Sequence, residues 1–181
     1  MDVPYVDLVA QHRQMKEDVL AAVERVLDHG IFIDGEEVAK FEQRMADYLD
    51  VPHVIGLNSG TDALILAMQA RGIGEGDEVI TVSHSWATTA SSIALTGAKP
   101  VFVDVDPDTM LMDPDKLEEA VTDDTAAILP VHYNGVPADL DPIEDVCERH
   151  DLALIEDCAQ ALGTRYDNEL VGTRDIGCFS L

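Results

Sequence analysis

The chain has 181 residues, enough for one domain with a sizeable core. It carries 36 Asp and Glu against 11 Lys and Arg, a formal net charge of -25, which excludes nucleic-acid phosphates and anionic membrane surfaces as natural partners. With 46% hydrophobic residues, and acids spread over positions such as Asp106, Asp108, Asp113, Asp115, Glu118, Glu119, Asp123 and Asp124, the chain is expected to fold.

The first predicted element is a helix over Val6 to His29, with Val19, Leu20, Val23, Val26 and Leu27 at helical spacing and Gly30 as its stop. Ile31 to Gly35 is a short connection. A second helix over Glu36 to Leu49 aligns Val38, Phe41, Met45 and Leu49 on one face, and Asp50-Val51-Pro52 ends it. The pattern then changes to apolar runs of strand length: His53 to Leu57, Glu78 to Val82, Pro100 to Val105, Ala126 to Val131 and Leu152 to Glu156. Helical patterns fall at Asp62 to Arg71, Ala87 to Leu95, Pro114 to Val121 and Pro142 to His150, the last with Asp141 as its cap. Asp175 to Ser180 reads as one more short strand. This alternation predicts a three-layer α/β/α fold with a mainly parallel sheet. The domain reading places an N-terminal helix and connection at 1–35 and the main α/β domain at 36–181.

Cys147, Cys158 and Cys178 form no C-x-x-C pair and sit in mostly apolar surroundings, which fits reduced thiols and a cytoplasmic location. No basic segment leads into an apolar one at the N-terminus, so no secretory signal is expected, and no apolar run reaches membrane-spanning length. The excess of carboxylates over lysines points to adaptation to high salt, the plainer alternative being an ordinary acidic protein. The six histidines show no metal-ligand spacing, and no metal site is expected.

Chemistry is expected where strands end, because open parallel sheets bind ligands beyond the carboxyl ends of their strands. Leu152-Ala-Leu-Ile-Glu-Asp-Cys-Ala-Gln-Ala-Leu-Gly163 delivers Asp157 and Gln160 there. An acid in that place can hold a protonated aromatic nitrogen, or simply anchor a loop. Glu156 points to the opposite side of the strand and is no equivalent candidate. Ser59-Gly60-Thr61-Asp62 opens a helix, where free N–H groups suit a phosphate; the same residues are also good plain caps. Trp86, the only tryptophan, can stack on a flat ring or fill a partly buried core position. His132, in Val131-His-Tyr-Asn-Gly-Val-Pro-Ala-Asp-Leu140, is read as positional, since no carboxylate partner can be assigned to it.

These segments, together with Gly30 and Gly35, Phe41-Glu42, Ser59-Gly-Thr-Asp-Ala-Leu64, His84-Ser-Trp-Ala-Thr-Thr89 and Gly177-Cys-Phe-Ser180, resemble in order and spacing the DegT/DnrJ/EryC1/StrS family of sugar aminotransferases. The resemblance implies the type I fold of aspartate aminotransferase, pyridoxal 5'-phosphate (PLP) as cofactor, and a homodimer with sites at its interface. It implies glutamate or a similar amino-acid donor and a keto-sugar nucleotide as acceptor. It assigns the cofactor phosphate to Gly60, Thr61, Asp62 and Ser180, ring stacking to Trp86, the pyridine nitrogen to Asp157, and a place near the ring or its phenolic oxygen to Gln160.

The family's Schiff-base lysine falls a few residues past Leu181, and none of Lys16, Lys40, Lys99 and Lys116 takes its place in the motif. The resemblance therefore implies the N-terminal part of the PLP-binding large domain, incomplete at its C-terminus, without the small C-terminal domain. Alternatives are a PLP-dependent sugar dehydratase of the same family, with histidine for lysine, or a non-catalytic fragment. A nicotinamide-binding domain is disfavoured by the lack of G-x-G-x-x-G after the first strand.

Overall fold

In the N-terminal region a side-chain hydrogen bond decides where the first helix begins, and a left-handed residue ends each of the two helices. The computed structural model describes residues 6–181, in two compact units, one reaching Gly56 and the other Leu57–Leu181. In the first, α1 (Leu8–His29) starts two residues later than expected, because the Asp7 carboxylate accepts from Ala10 N at 2.9 Å; left-handed Gly30 (φ 70°) closes it. Val19, Leu20, Val23 and Leu27 share its apolar face, and each is more than half exposed. α2 (Glu36–Leu49) matches its predicted bounds, and left-handed Asp50 ends it. The expected strand at His53 to Leu57 does not form. The Gly56 amide donates to Glu42 Oε1 at 2.8 Å instead of to a neighbouring strand, and a strand without a ladder partner is not one.

The second unit runs α3 (Gly60–Ala70), β1 (Glu78–Val82), α4 (Ala87–Thr96), β2 (Lys99–Val103), a 3-10 turn at Pro114–Lys116 continued by α5 (Leu117–Ala120), β3 (Thr125–Ile128), α6 (Leu140–His150), β4 (Ala153–Asp157), β5 (Arg165–Tyr166), β6 (Glu169–Leu170) and β7 (Ile176–Cys178). Five strands form one parallel sheet in the order β2-β1-β3-β4-β7. The apolar runs explain it: a strand covered on both faces needs apolar residues at every position. Ile80, Ile128, Leu129 and Ile155 are fully buried, as are Met68 and Ile93 from α3 and α4 and Ile143 from α6.

From β1 the chain crosses through α4 to β2 on one side; from β3 it crosses through α6 to β4 on the other. With right-handed crossovers these helices cover opposite faces. The direction of winding reverses between β1 and β3, and that switch point opens a crevice at the strands' carboxyl ends.

One helix start is corrected and one hairpin is added. α6 starts at Leu140 with Asp139 before it, so Pro142 lies third in the helix rather than first. Asp139 Oδ1 is taken by the Tyr166 hydroxyl at 2.6 Å, a tertiary contact that draws the helix start back. The β5–β6 hairpin was not expected; its strands are too short to show an apolar run. Asp167 and Asn168, both at positive φ (45° and 71°), make the two-residue turn that the strand twist prefers.

The three thiols are free and buried. Burial, then nearby carboxylates, pushes Cys147 and Cys178 up to about 12, and drives Cys158 well above the ordinary 9.0. The folded chain keeps these protons where the unfolded chain has lost them. Their stabilising contribution is therefore complete below about pH 9 and is lost as pH rises toward 12. Urea unfolding is expected to show lower stability at about pH 10 than at about pH 8, with the thiols unreactive to iodoacetamide at pH 8. Equal stability at the two values, or rapid alkylation of the folded chain, would contradict this.

Candidate functional site

The carboxyl edge of the sheet gathers the residues in question from five segments. Asp157 is the last residue of β4 and is only 5% exposed. Its Oδ2 accepts from Thr89 Oγ1 at 2.9 Å, and its Oδ1 accepts from Ala159 N at 3.2 Å. Thr89 is buried in the first turn of α4, and its hydroxyl also meets Ser85 Oγ at 2.7 Å. Since Thr89 has one proton and gives it to Asp157, Ser85 is the donor in that pair. Each carboxylate oxygen keeps a further lone pair for a ligand.

Trp86 immediately precedes α4 and is 73% exposed, which removes the core reading of this side chain. Because Thr89 reaches Asp157, Trp86 and Asp157 lie on the same edge of the sheet. Beyond Asp157, Gln160 Oε1 accepts from the Asn134 amide at 2.8 Å, which ties it to the turn that follows β3. The rings of His84 and Tyr133 meet in a tilted contact, 4.1 Å between centroids and 48° between planes, joining the segments after β1 and β3.

Beside the end of the edge strand β7, α3 begins. Ser59 caps it, its Oγ accepting from Asp62 N at 3.1 Å. The Asp62 carboxylate accepts from Ser59 Oγ at 2.9 Å and from Asn58 Nδ2, so both its amide and its acid are already engaged in the turn. The open donors of this helix start are the amides of Gly60 and Thr61. Ser180, two residues past β7, lies directly against Gly60: a Cβ on Gly60 would sit 2.9 Å from Ser180 Cβ. Two amides, two hydroxyls and the positive end of a helix form a cradle suited to a phosphate.

Sequence reasoning left out Ser85 and treated Thr89 only as part of a pattern; the spacing Ser85-x-x-x-Thr89 across a helix start was the available signal. The reading of His132 without a carboxylate partner is corrected. His132 Nε2 lies 2.9 Å from Glu156 Oε2, and both side chains are fully buried. Cys158 brings a third ligating atom within 4.8 Å of these two. Ala138 N bonds the other ring nitrogen and backbone amides bond both Glu156 oxygens, so the cluster is a satisfied hydrogen-bond network. A concavity of about 550 Å³ lies along α1, lined by Val9, Met15, Val19 and Leu20 among others; no acid or amide pair converges on it as on the strand ends.

An exposed aromatic face, a buried acid and a helix start lined by hydroxyls along the carboxyl edge of a parallel sheet are features that suit a flat, phosphorylated ligand. The model of the DegT/DnrJ/EryC1/StrS aminotransferase family matches residues 13–181, and the chain belongs to that family. It is 46% identical over 172 residues to a pleiotropic regulatory protein of Geobacillus stearothermophilus, covering 95% of this chain and 46% of the relative. It is 40% identical over 189 residues to dTDP-3-amino-3,4,6-trideoxy-alpha-D-glucose transaminase of Streptomyces venezuelae, covering 98% and 50%. The crystal structure of DesV from S. venezuelae superposes with a TM-score of 0.92 at 43% identity, over 94% of this chain and 46% of that one. The chain thus spans about half the length of the curated relatives it matches.

Proposed function

We propose that this chain is the N-terminal part of the large domain of a PLP-dependent aminotransferase, with its large-domain segment at 36–181. The reaction moves an amino group from glutamate or a similar donor to a nucleotide-linked keto-sugar. The observation that carries the reading is the buried carboxylate of Asp157 on the same strand-end edge as exposed Trp86 and the Gly60–Ser180 cradle.

PLP, when bound, supplies an electron sink for the carbon that loses its proton. The chain's residues divide the remaining work. Asp157 accepts the pyridine N–H and keeps that nitrogen protonated. Thr89 and Ala159 N fix the direction of its lone pairs. Trp86 covers one ring face and Gln160 steadies the ring edge. Gly60, Thr61 and Ser180 hold the phosphate, and Asp62 shapes the turn that aims those amides. Lys99 does not serve this edge: it begins β2 and pairs with Glu78 Oε1 at 2.6 Å, at the opposite end of the sheet.

Trp86 is its own reporter, since it is the only tryptophan. PLP added to the chain is expected to quench Trp86 fluorescence saturably, with pyridoxal binding more weakly and Asp157→Ala reducing both. Quenching by PLP that is no tighter than by pyridoxal, and indifferent to Asp157, would overturn the assignment.

A homodimer, a cytoplasmic location and a high-salt setting belong to the same proposal. The free thiols support the second and the net charge the third. Screening should relieve carboxylate repulsion, so the melting temperature is expected to rise from dilute buffer to molar KCl. A flat or falling series would leave a merely acidic protein.

A further inference from the structure

We infer that Glu156 is the positioning residue for the phosphate end of the site, acting through the loop that delivers Ser180; the inference rests on the cofactor reading above. Asp157 faces the site, and Glu156, its neighbour on β4, faces the packed loops on the other side. Its fully buried carboxylate collects three donors: His132 Nε2 at 2.9 Å and Gly172 N at 2.8 Å on Oε2, and Arg174 N at 3.3 Å on Oε1. The first bond has a fixed direction. Ala138 N donates to His132 Nδ1 at 3.0 Å, so the ring hydrogen sits on Nε2 and points at Glu156. An acid buried this deeply is tolerable only while its donors stay in place.

Gly172 and Arg174 belong to the segment that enters β7, whose far end sets Ser180 against Gly60. The packing there leaves no slack. Gly172 has φ 82°, and a Cβ on it would sit 2.9 Å from Cys158 Sγ and against the ring of Phe179, the residue before Ser180. The next residues are tied as well: the Arg174 guanidinium to Asp141 and Glu144, and Asp175 to Arg71 and to Leu154 N. The ion pairs lie nearer the surface, Asp175 joins the segment to β4 at Leu154, and Glu156 joins it to the same strand through a fully buried carboxylate. The imidazole of His132 in turn holds Glu156 from the exit of β3. The β4–β7 ladder pairs Asp157 with Cys178 and so sets the register between the two ends of the site; Glu156 braces, from the buried side, the loop that feeds that ladder.

Glutamine at this position keeps the volume and loses the match. Whichever oxygen its amide nitrogen replaces, it faces a backbone N–H or the imidazole N–H, donor against donor. Glu156→Gln is expected to weaken PLP binding about tenfold, the scale of a lost hydrogen bond to a charged group, while pyridoxal, which has no phosphate, changes less than about twofold. The experiment titrates PLP and pyridoxal against Trp86 fluorescence in the unaltered chain, E156Q, S180A and the double variant. The double is expected to bind PLP no worse than S180A alone, because both changes act on one contact. If S180A leaves PLP binding intact, the phosphate reading itself fails. If S180A weakens it and E156Q does not, or if the two effects add, the role given to Glu156 fails. Glu156→Asp, which keeps the charge and withdraws the oxygens, takes the place of E156Q should that variant not fold. Hydrogen exchange on the unaltered chain supplies a test free of any variant. The Gly172 and Arg174 amides are expected to be as protected as Ile80 and Ile128; exchange as fast as at Asp108 and Thr109 overturns the inference.

Discussion

Asp157→Asn is expected to slow amino transfer about a hundred- to a thousandfold in a protein that joins this segment to the family's Schiff-base lysine, with the fold kept. In the proposed function this carboxylate is the counter-charge of a positive pyridinium nitrogen, and an amide offers none. The fold survives because the hydroxyl chain can reverse. An Asn nitrogen in place of Oδ2 donates to Thr89, and Thr89 then donates to Ser85, while Oδ1 keeps the Ala159 amide. The structural cost is expected to be about 1 kcal/mol. Single-turnover kinetics with glutamate, beside a urea titration, separates the two effects. A folded Asp157→Asn protein that transfers amino groups at a near-normal rate would remove Asp157 from the chemistry.

The largest effect on stability is expected at the sheet centre. Ile80 is fully buried in β1, beside Val101 of β2 and Ile128 of β3, and its carbonyl accepts from Leu129 N at 2.8 Å. Ile80→Ala leaves a cavity that flanking strands cannot close, and is expected to cost about 2–5 kcal/mol. That is a large part of the roughly 5–15 kcal/mol of a typical domain, so much of the variant should unfold near body temperature. Ile55→Ala, at a 76% exposed position, serves as the control and is expected to stay within about 0.5 kcal/mol. Comparable losses at both positions in urea unfolding would contradict the core described for β1.

The sheet was legible because its strands are apolar on both faces: the runs around Ile80, Ile128 and Ile155 needed no partner to be recognised. The run at His53 to Leu57 has the same composition and forms no strand, since pairing depends on a neighbour that local sequence does not name. The start of α6 was misplaced for a related reason. A well-formed Asp-Pro signal lost to the Tyr166–Asp139 contact from a distant hairpin. The residues proposed for the site stand in recognisable motifs at strand ends. Their supports were less legible. Thr89 and Ser85 act through hydroxyl directions, and the His132–Glu156 pair joins two strands, so it leaves no trace in the spacing of either.

The closeness of Gly60 and Ser180 has a kinetic consequence. These residues come from the two ends of the second unit, so their meeting closes its longest loop, and contacts of that span form late in folding. The pairing of β1 with β2, by contrast, needs only α4 between them. A folding nucleus can therefore assemble around β1 while the phosphate cradle is still open. A ligand gripping that cradle would act after the rate-limiting step of folding, slowing the unfolding of the chain while leaving its folding rate nearly unchanged.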